Sequence, residues 1–225
     1  MVGARHHRLK LRFWVASMAM LAGLLGANGR VAGHPAKEHA APAATADASY
    51  RGGIVTPPLP KPNFTLTDTS GAPFDLRSET EGYVTLLYFG YTYCPEECPL
   101  HMANIAAALK DLPAADARQI RVVFVTTDPA RDTAEVLRSW LDQFDERFVG
   151  LGGGENAVRS AQIAAGIPPA IKTSPSDGNN EIDHEAFILA YSKDNLAHLI
   201  YPSGITAEDW VHDLRRLVQE NWSRQ

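Results

Sequence analysis

Two cysteines, Cys94 and Cys98, stand with three residues between them in Tyr91-Thr-Tyr-Cys94-Pro-Glu-Glu-Cys98-Pro99, and the chain holds no others. A lone close pair forms a disulfide, a redox couple or a soft-metal site. A disulfide this short encloses too small a loop to matter for the stability of a 225-residue chain. Function is the better reason for the pair. On a helix, residues i and i+4 have Cβ atoms roughly 5–6 Å apart, whereas a disulfide wants about 3.5–4.5 Å. A metal holding each sulfur at about 2.3 Å accepts the wider spacing. The spacing therefore leans toward chelation, and Pro95 leaves enough freedom for a disulfide to form. The motif sits where a helix begins, so its amides and dipole are expected to lower the pKa of at least one cysteine.

The elements around the motif follow from pattern. Phe64–Thr67 and Pro73–Leu76, joined by a turn at Asp68–Gly71, predict a β-hairpin. Val84–Gly90 and Ile120–Thr126 are apolar runs typical of central strands buried on both faces. Helical spacing is expected over Leu100–Leu112, and over a helix ending near Phe144 whose start pairs Asp132 with Glu135 as a capping box. A shorter helix runs from Glu155 to Gly166. Ile182–Ser192 and Leu196–Tyr201 read as paired strands, and a last helix follows Thr206. Strand, helix, strand, helix, hairpin, helix is the order of an α/β thioredoxin-like fold, here with an added N-terminal β-hairpin and an extra helix.

Two thiolates need a third ligand. His6 and His7 precede the apolar N-terminal run, and His34 and His39 lie in a linker-like stretch. His101 is expected on the helix surface, and His198 and His212 as structural or solvated residues. His184, in Asp183-His184-Glu185, stands apart. In this fold the loop entering the hairpin strand comes up beside the cysteine loop. Two thiolates and an imidazole suit Cu(I), and an added water or weak ligand would let them hold Cu(II). Structural zinc wants a fourth protein ligand, and none is evident.

The formal net charge is −5, unevenly spread. Arg5, Arg8, Lys10, Arg12 and Arg30 are the only charged residues in the first 33, which leaves a net of −10 for the remainder. An acidic body argues against nucleic acid as a partner. Basic residues followed by the apolar run Phe13–Ala27 predict that residues 1–30 are a signal peptide or an N-terminal membrane anchor. Fifteen apolar residues are short for a permanent span of about 20. Residues 31–55 read as a flexible linker, and 56–222 as the folded domain.

Three segments, Tyr88-Phe-Gly-Tyr-Thr-Tyr-Cys-Pro-Glu-Glu-Cys-Pro99, Asp128-Pro-Ala-Arg-Asp-Thr133 and Asp183-His184, resemble the Sco/SenC family of copper-binding proteins in cytochrome c oxidase assembly. The resemblance spans roughly Phe64–Val218. It implies that Cys94, Cys98 and His184 bind copper, on the periplasmic side of the cytoplasmic membrane, with the N-terminal segment supplying any membrane contact. It further implies delivery to the binuclear copper centre of oxidase subunit II or to another periplasmic copper protein. Glu96-Glu97 replaces the family's commoner Asp-hydrophobic pair and adds negative charge. Asp128 and Arg131 are expected to shape the loop and helix entry. The alternative to a metallochaperone is an enzyme, a thiol:disulfide oxidoreductase keeping the oxidase cysteines reduced through Cys94 and Cys98. A peroxiredoxin-like peroxidase fits poorly, because the Pro and Thr it needs before its cysteine are out of register.

Overall fold

The structure, a computed structural model, describes residues 45–46, 50–173, 181–183, 185–220 and 222. All of these lie within one compact unit, residues 40–225. The expected export segment and His184 fall outside the described residues, as does most of the expected linker. Among the described residues no helix is long and apolar enough to cross a membrane.

The chain runs through β1 (Thr45–Ala46), β2 (Gly53–Pro60), β3 (Thr65–Asp68), β4 (Pro73–Asp75) and α1 (Leu76–Glu79). The central elements are β5 (Val84–Gly90), α2 (Glu97–Asp111), α3 (Ala114–Ala117), β6 (Ile120–Thr126), α4 (Ala134–Leu141), β7 (Val149–Gly152) and α5 (Glu155–Ala164). Then come β8 (Ile171–Thr173), β9 (Glu181–Asp183), β10 (Ile188–Tyr191), β11 (Leu196–Tyr201) and α6 (Ala207–Gln219). The main sheet has the order β1-β2-β11-β10-β5-β6-β7-β3-β4, and β8 and β9 form a separate ribbon. β5 and β6 are parallel, while β10 runs antiparallel to both β5 and β11. This is the thioredoxin-like arrangement the element order predicts, with β3–β4 as the added hairpin and α5 as the extra helix.

All seven residues of β5 are buried, and they alternate between two cores. Val84, Leu86 and Tyr88 pack with residues of α2, α4 and α6 such as Met102, Leu137 and Trp210. Leu87 and Phe89 pack on the other face with Val123, Val125, Leu151 and Val158. The helix α6 begins in a full capping box between Thr206 and Asp209 and buries Trp210, Leu214, Leu217 and Val218 as its periodicity predicts.

Several expectations shift. The expected linker ends earlier than residue 55, because β2 begins at Gly53 and pairs with β11 while β1 pairs with β2. The fully buried Asp213 of α6 accepts the N–H groups of Arg51 (2.8 Å) and Gly52 (2.9 Å) and the Tyr201 hydroxyl (3.0 Å). Gly52 is pressed so close to Tyr201 that a Cβ would lie 2.6 Å from its ring. Helix α2 starts at Glu97 rather than Leu100, since a proline in the first turn removes an N–H that has no intrahelical partner anyway. The predicted strand from Ile182 divides: β9 pairs with β8, and only Ile188–Tyr191 joins the main sheet. Helix α4 stops at Leu141 rather than near Phe144, and Val136 on it is 36% exposed although apolar.

Asp213→Ala would leave the donors of Arg51, Gly52 and Tyr201, and the His212 ring, without their acceptor, so we expect a loss of about 3 kcal/mol, read as a lower urea midpoint at unchanged slope. Lys61 gives a pH effect. It is 1% exposed, donates to Thr80 O (3.1 Å), Thr80 Oγ1 (3.0 Å) and Thr85 Oγ1 (3.1 Å), and burial pushes its pKa down from 10.5 to about 8. The unfolded chain therefore binds the extra proton between these values, and folding stability from this group rises with pH across that window, by at most roughly 3 kcal/mol. Urea titrations between pH 8 and 9.5 should show the rise, and Lys61→Met should flatten it.

Candidate metal centre

The site begins at the last residue of β5. A Cβ on Gly90 would lie 2.8 Å from Cys98 Sγ and 3.0 Å from the Phe124 ring. A residue without a side chain is thus what lets the Cys98 sulfur enter the core, where the residue is completely buried. The Tyr88 hydroxyl, one turn of the pleat earlier on the same face, donates to Cys98 Sγ at 3.3 Å. The Tyr88 ring is held edge-on by Phe124 (5.7 Å) and His101 (5.1 Å).

Cys94 is placed differently. It lies in the loop before α2, where its N–H donates to the Tyr91 carbonyl at 3.2 Å. Its Sγ accepts the Cys98 N–H at 3.4 Å. The cysteines therefore do not occupy i and i+4 of one helix, as the spacing argument supposed. Instead Cys94 reaches back over the helix start and takes one of its orphan amides, while the formal cap, Glu96, makes no side-chain cap bond. Cys94 is 8% exposed, and no disulfide joins the two residues.

The expected pKa depression is not what Cys98 shows. Burial is the largest effect and pushes its thiol well above the ordinary range, and the interaction with Cys94 adds to this. Hydrogen bonds from Tyr88 and the Tyr91 backbone act in the opposite sense. Helix dipoles favour a thiolate only where loss of solvation does not outweigh them, and at Cys98 it does.

A second loop, 127–133, supports the first. Thr127 donates its N–H (2.7 Å) and hydroxyl (3.1 Å) to the Gly90 carbonyl. Asp128 pairs with Arg131, whose guanidinium lies 4.9 Å from the Tyr93 ring, so these two residues shape the loop as expected. Asp132, however, is not the cap of α4. Thr133 is, accepting the Val136 N–H at 3.3 Å. The Asp132 carboxylate turns inward and accepts from Thr92 N–H (3.0 Å), Thr92 hydroxyl (2.5 Å) and Thr126 hydroxyl (2.6 Å).

His101, expected at the surface, is 3% exposed and its Nε2 donates to the Ala186 carbonyl at 3.2 Å. It ties the cysteine helix to the stretch that leads into β10. Glu97 hydrogen bonds with Ser203, so one of the two acidic residues between the cysteines is engaged by protein. His198 donates to Asp194 (3.0 Å) and stacks on Trp222, and His212 bonds Asp213 (2.8 Å), so both are structural. Among the described residues, no three His, Cys, Asp or Glu side chains gather as a metal site. The structure brings Cys94 and Cys98 together, and the third predicted ligand, His184, lies outside what it describes.

This arrangement has known relatives. A family model described as SCO1/SenC matches residues 56–219. The chain belongs to the SCO1/SenC family. SenC of Rhodobacter capsulatus is 37% identical over 123 residues, covering 51% of this chain and 55% of that one. Mitochondrial Sco2 of Saccharomyces cerevisiae is 36% identical over 97 residues, covering 43% and 32%. The chain spans between 32% and 64% of the length of three curated relatives it matches. Among solved structures, Bradyrhizobium japonicum ScoI with copper bound superposes with a TM-score of 0.63 at 30% identity, covering 71% of this chain and 99% of that one. Apo Sco1 of Thermus thermophilus gives 0.66 at 31%, covering 75% and 96%.

Sequence reasoning gave no role to Gly90, Tyr88 or Thr92 in this SCO1/SenC chain, and it assigned Asp132 to a helix cap. The usable signal for Asp132 was that Asp132 and Thr133 are both cap-forming residues, and one helix start needs only one. For Gly90, we expect Gly90→Ala to displace either the Cys98 sulfur or the Phe124 ring. The expected cost is about 1–3 kcal/mol in thermal or urea unfolding, with faster alkylation of Cys98 in the folded protein.

Proposed function

We propose that this chain is an exported copper metallochaperone that carries Cu(I) on Cys94, Cys98 and His184 and delivers it to the binuclear copper centre of oxidase subunit II. The observation that carries this reading is the cysteine pair itself. Two unlinked thiols meet at a strand–helix junction, one seated in the core and the other at its lip. The donor set fits the cargo: soft sulfurs in an apolar, water-poor setting select Cu(I) over harder cations. The N–H and hydroxyl groups already aimed at the sulfurs stabilise thiolates once the metal's charge replaces lost hydration. Membership of the SCO1/SenC family supports it, as does the copper bound in the B. japonicum ScoI structure. The case for His184 rests on its position in the fold and the Asp183-His184 segment. It is supported by the anchoring of Ala186, two residues later, to His101 on the cysteine helix.

The difference in burial between Cys94 and Cys98 also favours a second reading, thiol:disulfide exchange with the same target. The Cys94 thiolate would attack a disulfide of the partner and the Cys98 thiol would displace the second sulfur. This leaves a Cys94–Cys98 disulfide and a partner dithiol, with two electrons passed on. The two roles are compatible, because thiolates must be reduced before they bind copper.

The readings separate at His184. We expect wild type to bind one Cu(I) per chain in competition with a chromophoric chelator, and Cys94→Ser, Cys98→Ser and His184→Ala each to weaken binding by about a hundredfold or more, roughly 3 kcal/mol. Unchanged affinity in His184→Ala would remove that residue from the ligand set. In reduction of an oxidised subunit II fragment, His184→Ala should act like wild type if exchange is the chain's task, while both serine variants should be inactive.

A further inference from the structure

We propose that Asp132 is a positioning residue for the cysteine pair, fixing Cys94 through Thr92. Its carboxylate is 4% exposed and, among the described residues, meets no cation. Burying such a charge costs several kcal/mol unless hydrogen bonds replace its water. Here three donors do so, and two of them, the hydroxyls of Thr92 and Thr126 at 2.5 and 2.6 Å, have the short contacts of O–H groups facing an ionised oxygen. Helix capping does not explain the group, because Thr133 already caps α4.

What the carboxylate joins is informative. Thr126 ends β6 and sits in register with Gly90, which ends β5. Thr92 follows Gly90 by two residues and precedes Cys94 by two, within the turn closed by the Cys94 N–H on the Tyr91 carbonyl. Asp132 therefore fastens the backbone and the side chain of the cysteine loop to the end of the neighbouring strand. Cys98 needs no such support, since Gly90, Tyr88 and Phe124 confine it. Cys94 lies in the loop that Asp132 fastens. A clamp on Thr92 keeps its sulfur against the Cys98 amide, so that a metal finds the pair arranged and does not have to order it.

The copper arm of the test rests on the function proposed above, and a second arm does not. Asp132→Asn and Thr92→Val would be made singly and together. Each would be assayed for Cu(I) affinity by chelator competition, for the rate of Cys94 alkylation in metal-free folded protein (resolved from Cys98 by peptide mapping), and for thermal midpoint. We expect each single variant to bind Cu(I) about tenfold more weakly and to alkylate several-fold faster at Cys94, and the double variant to be no worse than the weaker single, since both remove one contact. A lower midpoint with affinity and alkylation unchanged would reduce Asp132 to a fold-stabilising residue and overturn the proposal, as would fully additive losses. If Asp132→Asn does not fold, Thr92→Val decides alone. If wild type binds no Cu(I), the metallochaperone reading fails while the alkylation arm still judges Asp132.

Discussion

A sulfur at the second residue of α2 must share its space with the end of the strand that precedes the helix. At this junction the strand ends in glycine, and the sulfur takes the place a side chain would have filled. Much of the local structure follows from that exchange. Phe124 and Tyr88 close around the buried thiol, and His101 then packs on Tyr88 and reaches the segment entering β10. The chain between strand and helix places its first cysteine at the edge of the same core, slightly less buried than Cys98. Cys94 stays at the rim, with its sulfur on the helix's first amides. Two residues of one type in one motif thus sit at different depths of one core, and the difference arises from packing rather than from their spacing.

The same junction explains how a loop rich in exposed residues keeps a defined shape. Tyr93, Pro95 and Glu96 face solvent, so little apolar burial holds that stretch. Hydrogen bonds do instead. The Gly90 carbonyl takes two from Thr127, and Thr92 gives two to Asp132. Charge-assisted bonds in a site screened from water are stronger than their surface counterparts, which is why a carboxylate serves where an amide or hydroxyl would hold less firmly.

The central strands were legible in the sequence to the residue, because an unbroken apolar run between turn residues admits few other readings. Helix α6 was legible as well, since its cap and apolar stripe agree. Its N-terminal strap was not. Tyr50–Gly52 looks like the end of a linker, and partners far off in sequence make it part of the domain: the buried Asp213, and Glu220, which accepts the Tyr50 hydroxyl. Short β7, with glycine at two of its four positions, carries no alternation to read. At the site, Cys94 and Cys98 were evident from residue type. Asp132 was visible but misassigned, because Asp-x-x-Glu satisfies the local capping rule while its partners, Thr92 and Thr126, lie on other elements. His101 was misjudged for a related reason: its burial depends on Tyr88 and Ala186, and neither is near it in the chain.

The parallel register of β5 and β6, which sets Gly90 opposite Thr126, has a consequence for anyone transplanting this motif. Inserting one residue into either strand would advance its end by about 3.3 Å and turn its last side chain to the other face. The notch for the sulfur and the hydroxyl that meets Asp132 would no longer stand level. A graft of the twelve-residue cysteine segment alone into another sheet of this kind would carry the sulfurs without their geometry. The portable unit is discontinuous: two strand ends of matched length, and the pair of loops that leave them.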